Sequence, residues 1–187
     1  MAEIVVKKVA QSKGLRIRRG TARDIPAIAS LIRELAKYER LTPYLRISAK
    51  RLRAHGFGRW KYFEALICER SRQVVGYAIY YFVYSSFTCR PVLFIEDIFV
   101  LPAERGKGAG KALMIALARA ATKAKCEQME WLVLDWNAPS IKFYESLGAR
   151  LDKTWVLTRL TDAGLRRLAR RGPQVGALPT TQRGLPC

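Results

Sequence analysis

Gly106, Gly108 and Gly110 alternate with Lys107 and Lys111, just after Arg105, between an apolar run at 98–101 and a helix-forming run at 111–121. That combination is suited to binding phosphate. A loop entering a helix exposes backbone N–H groups at the helix N-terminus. Glycines let the backbone approach an anion without a Cβ clash, and Arg105 and Lys107 add positive charge. The spacing excludes the common nucleotide motifs. No Gly-x-x-x-x-Gly-Lys-Ser/Thr run occurs, the glycines lack Gly-x-Gly-x-x-Gly order, and no complete βαβ start precedes them. Alone, the same residues also fit a plain glycine-rich turn ahead of a core helix.

Two carboxylates, Glu96 and Asp97, lie just upstream on the apolar run. Adjacent side chains on a strand face opposite sides, so the pair is expected to serve separate purposes. Cys68, Cys89, Cys126 and Cys187 are widely scattered, no Cys-x-x-Cys pair exists, and His55 is the only histidine. Neither a metal site nor a disulfide framework is expected.

Positioning these groups requires a sheet and helices. An opening strand is expected at 15–18, then a helix whose face is Ile25, Ile28, Leu31, Ile32 and Leu35, ending near Tyr38. A helical segment at 48–54 and a turn at 55–58 follow. Strand composition marks 62–69, 74–84 and 92–101, the first two separated by a polar turn at 70–73. A helix to about 125, a strand at 129–134 and a helix at 138–147 come next, with Gly148 as a left-handed cap. Leu151 and 155–160 suggest a closing pair of strands, and a last helix spans 161–170. This order implies one mixed α/β domain over 15–171, with a polar extension at 1–14 and a disordered tail at 172–187.

The chain has 187 residues, half of them hydrophobic, enough for one substantial core. No apolar run approaches the roughly 20 residues of a membrane span, and the N-terminus lacks a secretory core. A cytoplasmic, non-membrane protein is expected. The net charge of +19 is concentrated partly at the ends. Lys7, Lys8, Lys13, Arg16, Arg18 and Arg19 face Glu3 alone, and Arg159, Arg166, Arg167, Arg170, Arg171 and Arg183 face Asp162 alone. Such a chain attracts polyanions in general. A solvated basic surface accounts for this without specific nucleic-acid binding.

Arg105 through Lys111 resembles the pyrophosphate-binding motif of the GNAT superfamily of acetyl-CoA-dependent N-acetyltransferases. The stretch 134–149, with Asp135, Trp136, Asn137, Ser140, Phe143 and Tyr144, resembles the last motif of the same enzymes, in the correct order. The runs 32–39, 56–58, 80–84 and 95–97 are similar to the diamine, or spermidine/spermine, acetyltransferase branch. The resemblance covers roughly 15–160. It implies a mixed central sheet with flanking helices and a CoA slot between diverging central strands. It also implies an enzyme that transfers acetyl from acetyl-CoA, without a metal, to a primary amine of a small molecule by direct attack.

By the same resemblance, Tyr144 is the general acid for the departing thiolate, and Glu96 is the base or holds the cationic substrate. The main chain of Ile98, Phe99 and Val100 would pair with the pantetheine arm. Arg105, Gly106, Lys107, Gly108, Ala109, Gly110 and Lys111 would surround the pyrophosphate. Asn137 and Ser140 would meet the arm from the other side, and Tyr38, Glu39, Glu96 and Asp97 would hold the substrate. Family members are commonly homodimers, so a dimer is expected. One departure matters: Lys153 stands where the family carries a substrate-binding acid, which argues against spermidine itself. A smaller amine, an amino acid with a side-chain amine and a xenobiotic amine all remain open. The alternatives are a protein N-acetyltransferase and a non-catalytic CoA-binding or nucleic-acid-associated protein.

Overall fold

The computed structural model describes residues 14–171. The expected tail at 172–187, and all but the last residue of the expected N-terminal extension, lie outside the described residues. By internal packing the chain forms two compact units, divided after Leu132.

The first unit is built on a five-stranded sheet of order β1-β2-β3-β4-β5. Its strands are β1 (Leu15–Arg19), β2 (Glu64–Arg70), β3 (Gln73–Ser85), β4 (Arg90–Val100) and β5 (Met129–Trp131). The first four pair antiparallel in sequence order, and β5 joins β4 in parallel. The β2–β3 connection is a two-residue hairpin turn, with Ser71 and Arg72 both at positive φ (49° and 69°). That backbone matches the right-handed twist of the flanking strands.

Three helices complete this unit: α1 (Ile25–Tyr38), α2 (Ala49–Phe57) and α3 (Ala109–Lys123). Pro26 sits in the first turn of α1, where its missing N–H costs nothing. Ile28 and Leu31 of α1 join Ala65, Ile67, Tyr77, Ile79 and Phe99 in one buried cluster. Those sheet residues are alternate positions of one face. Cys68, Ala78 and Leu93, from the other alternate set, are also fully buried. Helix α3 touches β1, β2, β3 and β4, and it buries Leu113 and Leu117 outside the α1 cluster. It therefore covers the second face and provides the crossover that parallel pairing of β4 and β5 requires.

The second unit contains α4 (Ala138–Glu145) and α5 (Asp162–Ala169). Gly148 follows α4 at φ 91°, the left-handed cap expected there. Three expectations need correction. No strand forms at Leu151 or at 155–160: neither pairs with a strand of the described residues, and Trp155 and Val156 are 80% and 82% exposed. Apolar, β-prone composition is not enough where no strand lies alongside. The expected strand at 129–134 stops at Trp131. His55 to Phe57, read as a turn, form the last turn of α2, where the backbone of Gly56 leaves room for the Phe63 ring.

Candidate active site

The central feature is one extra residue in β4. Ile79 pairs with Asp97 and Tyr80 pairs with Ile95, so Glu96 has no partner across the ladder. This is a β-bulge. Tyr77 and Tyr81 lie four apart on β3 and hence on one face. The Tyr77 hydroxyl donates to Asp97 Oδ2 at 3.1 Å, and the Tyr81 hydroxyl donates to Glu96 Oε2 at 3.1 Å. Both carboxylates are therefore held on the same face. The expectation that they face opposite sides is overturned, because the bulge resets the alternation.

That face is the one packed by α1. At the C-terminal end of α1, Tyr38 packs against the buried cluster. Glu39, the C-cap, is half-buried, and burial raises the pKa of its carboxyl. Burial also pushes Asp97 from the ordinary 3.8 up to about 6. The Tyr77 hydrogen bond opposes that shift, whereas the charges of Glu96 and Glu39 add to it. Tyr81 is pushed up to about 12, mainly by burial and then by Glu96. Glu39, Glu96 and Asp97 thus form a converging acidic face that favours a bound cation.

The parallel pairing of β4 with β5 ends at Ile95 and Trp131. On the β3 side, Ile98, Phe99 and Val100 remain paired with Ala78, Tyr77 and Gly76. Gly76 is required there, because a Cβ would lie 2.7 Å from the Phe99 carbonyl oxygen. No strand of the described residues pairs with the other edge of β4 beyond Ile95. That free edge can accept hydrogen bonds from, or donate them to, an extended amide-bearing ligand.

The glycine loop follows. Gly106 and Gly108 have φ of 73° and 87°, and Gly108 is the N-cap of α3. No side chain caps the first turn of α3 and no acid lies in it. Its first amides, from Ala109, Gly110 and Lys111, therefore point out of the helix end as anion donors. Nothing lies within 4 Å of the Cβ position at Gly106. Arg105 reaches back from the start of the loop. Its Nε donates to the Val100 carbonyl at 3.1 Å, and its guanidinium lies 4.5 Å from the Tyr38 ring centroid and 5.5 Å from that of Phe99. It fastens the start of the loop to the end of β4 and to Tyr38 at the end of α1.

Sequence reasoning missed the residues that brace this loop. Arg70, at the end of β2, donates from Nε to Glu104 at 2.6 Å and from Nη2 to the Lys107 carbonyl at 3.1 Å. Lys107 Nζ donates to the same Glu104 at 3.3 Å. Hydrogen bonding from Arg70 holds the Glu104 carboxyl below the ordinary range. No local signal marks this strut, since Arg70 and Glu104 are 34 positions apart.

In the second unit, Asn137 caps α4 by accepting from the Ser140 amide at 3.3 Å. Pro139 lies in the first turn, and Tyr144 follows one turn after Ser140. Tyr144 is buried and Phe143 half-buried. Their ring centroids are 5.4 Å apart. Trp136 is about half exposed.

The sequence model of the acetyltransferase (GNAT) family matches residues 27–149, which spans both units. The thialysine N-epsilon-acetyltransferase of Mus musculus is 39% identical over 168 residues, covering 83% of this chain and 98% of its own length. The human spermidine/spermine N(1)-acetyltransferase-like protein 1 is 38% identical over 141 residues, 72% of this chain and 20% of its own length. Among solved structures, an integron cassette protein from the mobile metagenome of V. cholerae superposes with a TM-score of 0.69 at 24% identity. That match covers 84% of this chain and 99% of the other, and it bears on the fold alone.

Proposed function

The chain belongs to the acetyltransferase (GNAT) family, in its diamine acetyltransferase branch, and from that premise we propose that it acetylates the primary amine of a small cationic molecule, with acetyl-CoA as donor. The observation that carries this reading is the acidic face, on which the bulge sets Glu96 and Asp97 together near Glu39. An alkyl amine has a pKa near ~10 and arrives as an ammonium ion. Several carboxylates can hold that ion, and Glu96, directly or through water, can take its proton before attack.

The fit to acetyl-CoA rests on two features. The uncapped first turn of α3 and the left-handed glycines suit a pyrophosphate. The free edge of β4 at 98–100 suits the amide-bearing pantetheine arm. Acetyl-CoA supplies the activated acyl group and a thiolate leaving group. By resemblance, Asn137 and Ser140 meet the arm, and Tyr144 supplies the proton that the thiolate needs.

The favoured acceptor is an amino acid with a side-chain amine, or a short diamine. A long polyamine must bring several cations to a chain of net charge +19, with Lys153 where the branch carries an acid. Thialysine, named for the mouse relative, has a single side-chain ammonium. The test is thiol release from acetyl-CoA on addition of thialysine. Turnover that saturates with amine supports the reading. Binding of CoA without turnover on thialysine, ornithine or putrescine overturns it.

A further inference from the structure

Tyr77 is the largest side chain with essentially no exposure. Its ring fills the α1 cluster as a phenylalanine would. A hydroxyl at such a depth is costly unless it is hydrogen-bonded. Its partner is not a core backbone group but Oδ2 of Asp97, at 3.1 Å. The bulge at Glu96 turns Asp97 toward this phenol. Two separate departures from a plain sheet, an extra residue and a buried hydroxyl, thus act on one carboxylate.

We infer that Tyr77 is a positioning residue for the acceptor amine: its hydroxyl occupies Oδ2 of Asp97 and fixes that carboxylate so that its other oxygen receives the substrate ammonium. This rests on the acidic face being the amine site. The groups facing Asp97 are Glu96 on its own strand, Glu39 at the end of α1 and Tyr77 on β3. Burial and the two acids oppose its ionisation, whereas the Tyr77 hydrogen bond favours it. Tyr77 therefore keeps Asp97 ionised at a pH where burial and its neighbours would otherwise keep it protonated.

The test is Tyr77→Phe, which keeps the ring and removes only the donor, measured by steady-state kinetics across pH. The amine KM should rise about tenfold, with a smaller change in kcat and an unchanged KM for acetyl-CoA. The acid limb of the amine kcat/KM should move to higher pH by on the order of one unit, the size of a lost hydrogen bond to a charged group. In an Asp97→Asn background, Tyr77→Phe should add no further loss, because the two act as one unit. An equal cost in both backgrounds, or an unmoved acid limb, overturns the proposal. If Asp97→Asn alone leaves amine kcat/KM unchanged, the acidic face is not the amine site and both readings fall. If Asp97→Asn is costly and Tyr77→Phe is silent, only the role of Tyr77 falls. Should Tyr77→Phe not fold, 3-fluorotyrosine at position 77 retains the hydroxyl and makes it a stronger donor. The limb should then move to lower pH, and no movement would overturn the proposal.

Discussion

Asp97 ionises against its surroundings, and this sets a measurable conflict between stability and function. In the unfolded chain the carboxyl loses its proton near 3.8; in the folded protein burial holds the proton until about 6. As pH rises through that window, the unfolded chain gives up the proton first, so folding stability falls. The loss is on the order of 2–3 kcal/mol by pH 7. Asp24 has the opposite sign. Bonding to Arg18 holds it down to about 2, so its contribution is present above the ordinary carboxylate range and lost as pH falls toward 2. Thermal melts of Asp97→Asn should therefore show a higher Tm than wild type at pH 7 and little difference at pH 4, together with reduced amine turnover. Equal Tm at both pH values would mean that Asp97 is not a strained carboxylate. Tyr144→Phe should lower kcat by about 100-fold, the usual size of general-acid catalysis, far more than any change in the melt accounts for. Near-normal turnover would remove Tyr144 from the chemistry.

At the scale of elements, β4, the glycine loop and α3 act as one bracket, tied to β2 by Arg70. Arg70→Met removes both the Glu104 bond and the Lys107 bond while keeping a long apolar stem. The expected result is a several-fold rise in KM for acetyl-CoA with the amine KM unaltered. A change confined to the amine would place the strut elsewhere in the mechanism. Much of this bracket was legible in the sequence. Residues 98–111 carry the strand, the turn and the helix start in their own order, and the apolar spacing from Ile25 to Leu35 marks α1. The bulge was not legible, because it exists only relative to β3: nothing in Glu96 itself says that Ile79 and Tyr80 will skip it. The Arg70 strut depends on two distant segments meeting. The segment 155–160 shows the converse failure, since its composition suits a strand but no partner strand aligns with it.

On the scale of the whole molecule, the acidic face is a local exception on a chain of net charge +19. Long-range repulsion then disfavours multiply charged amines more than singly charged ones, and salt weakens the discrimination. No helix among the described residues is long and apolar enough to cross a membrane. Family resemblance leads us to expect a dimer, read by light scattering as twice the 21.2 kDa chain mass; the chain mass itself would refute that. On the reading proposed above, the acidic face selects a compact cationic amine for acetylation. The most direct measurement of that selection is a competition in one vessel. Acetyl-CoA is supplied to the protein with equimolar thialysine, spermidine and a lysine-containing peptide, and the acetylated products are quantified by mass spectrometry at early times. Acetyl-thialysine should predominate, with spermidine gaining ground as salt is raised. Acetylated peptide as the main product, or no acetylated amine at all, would contradict it.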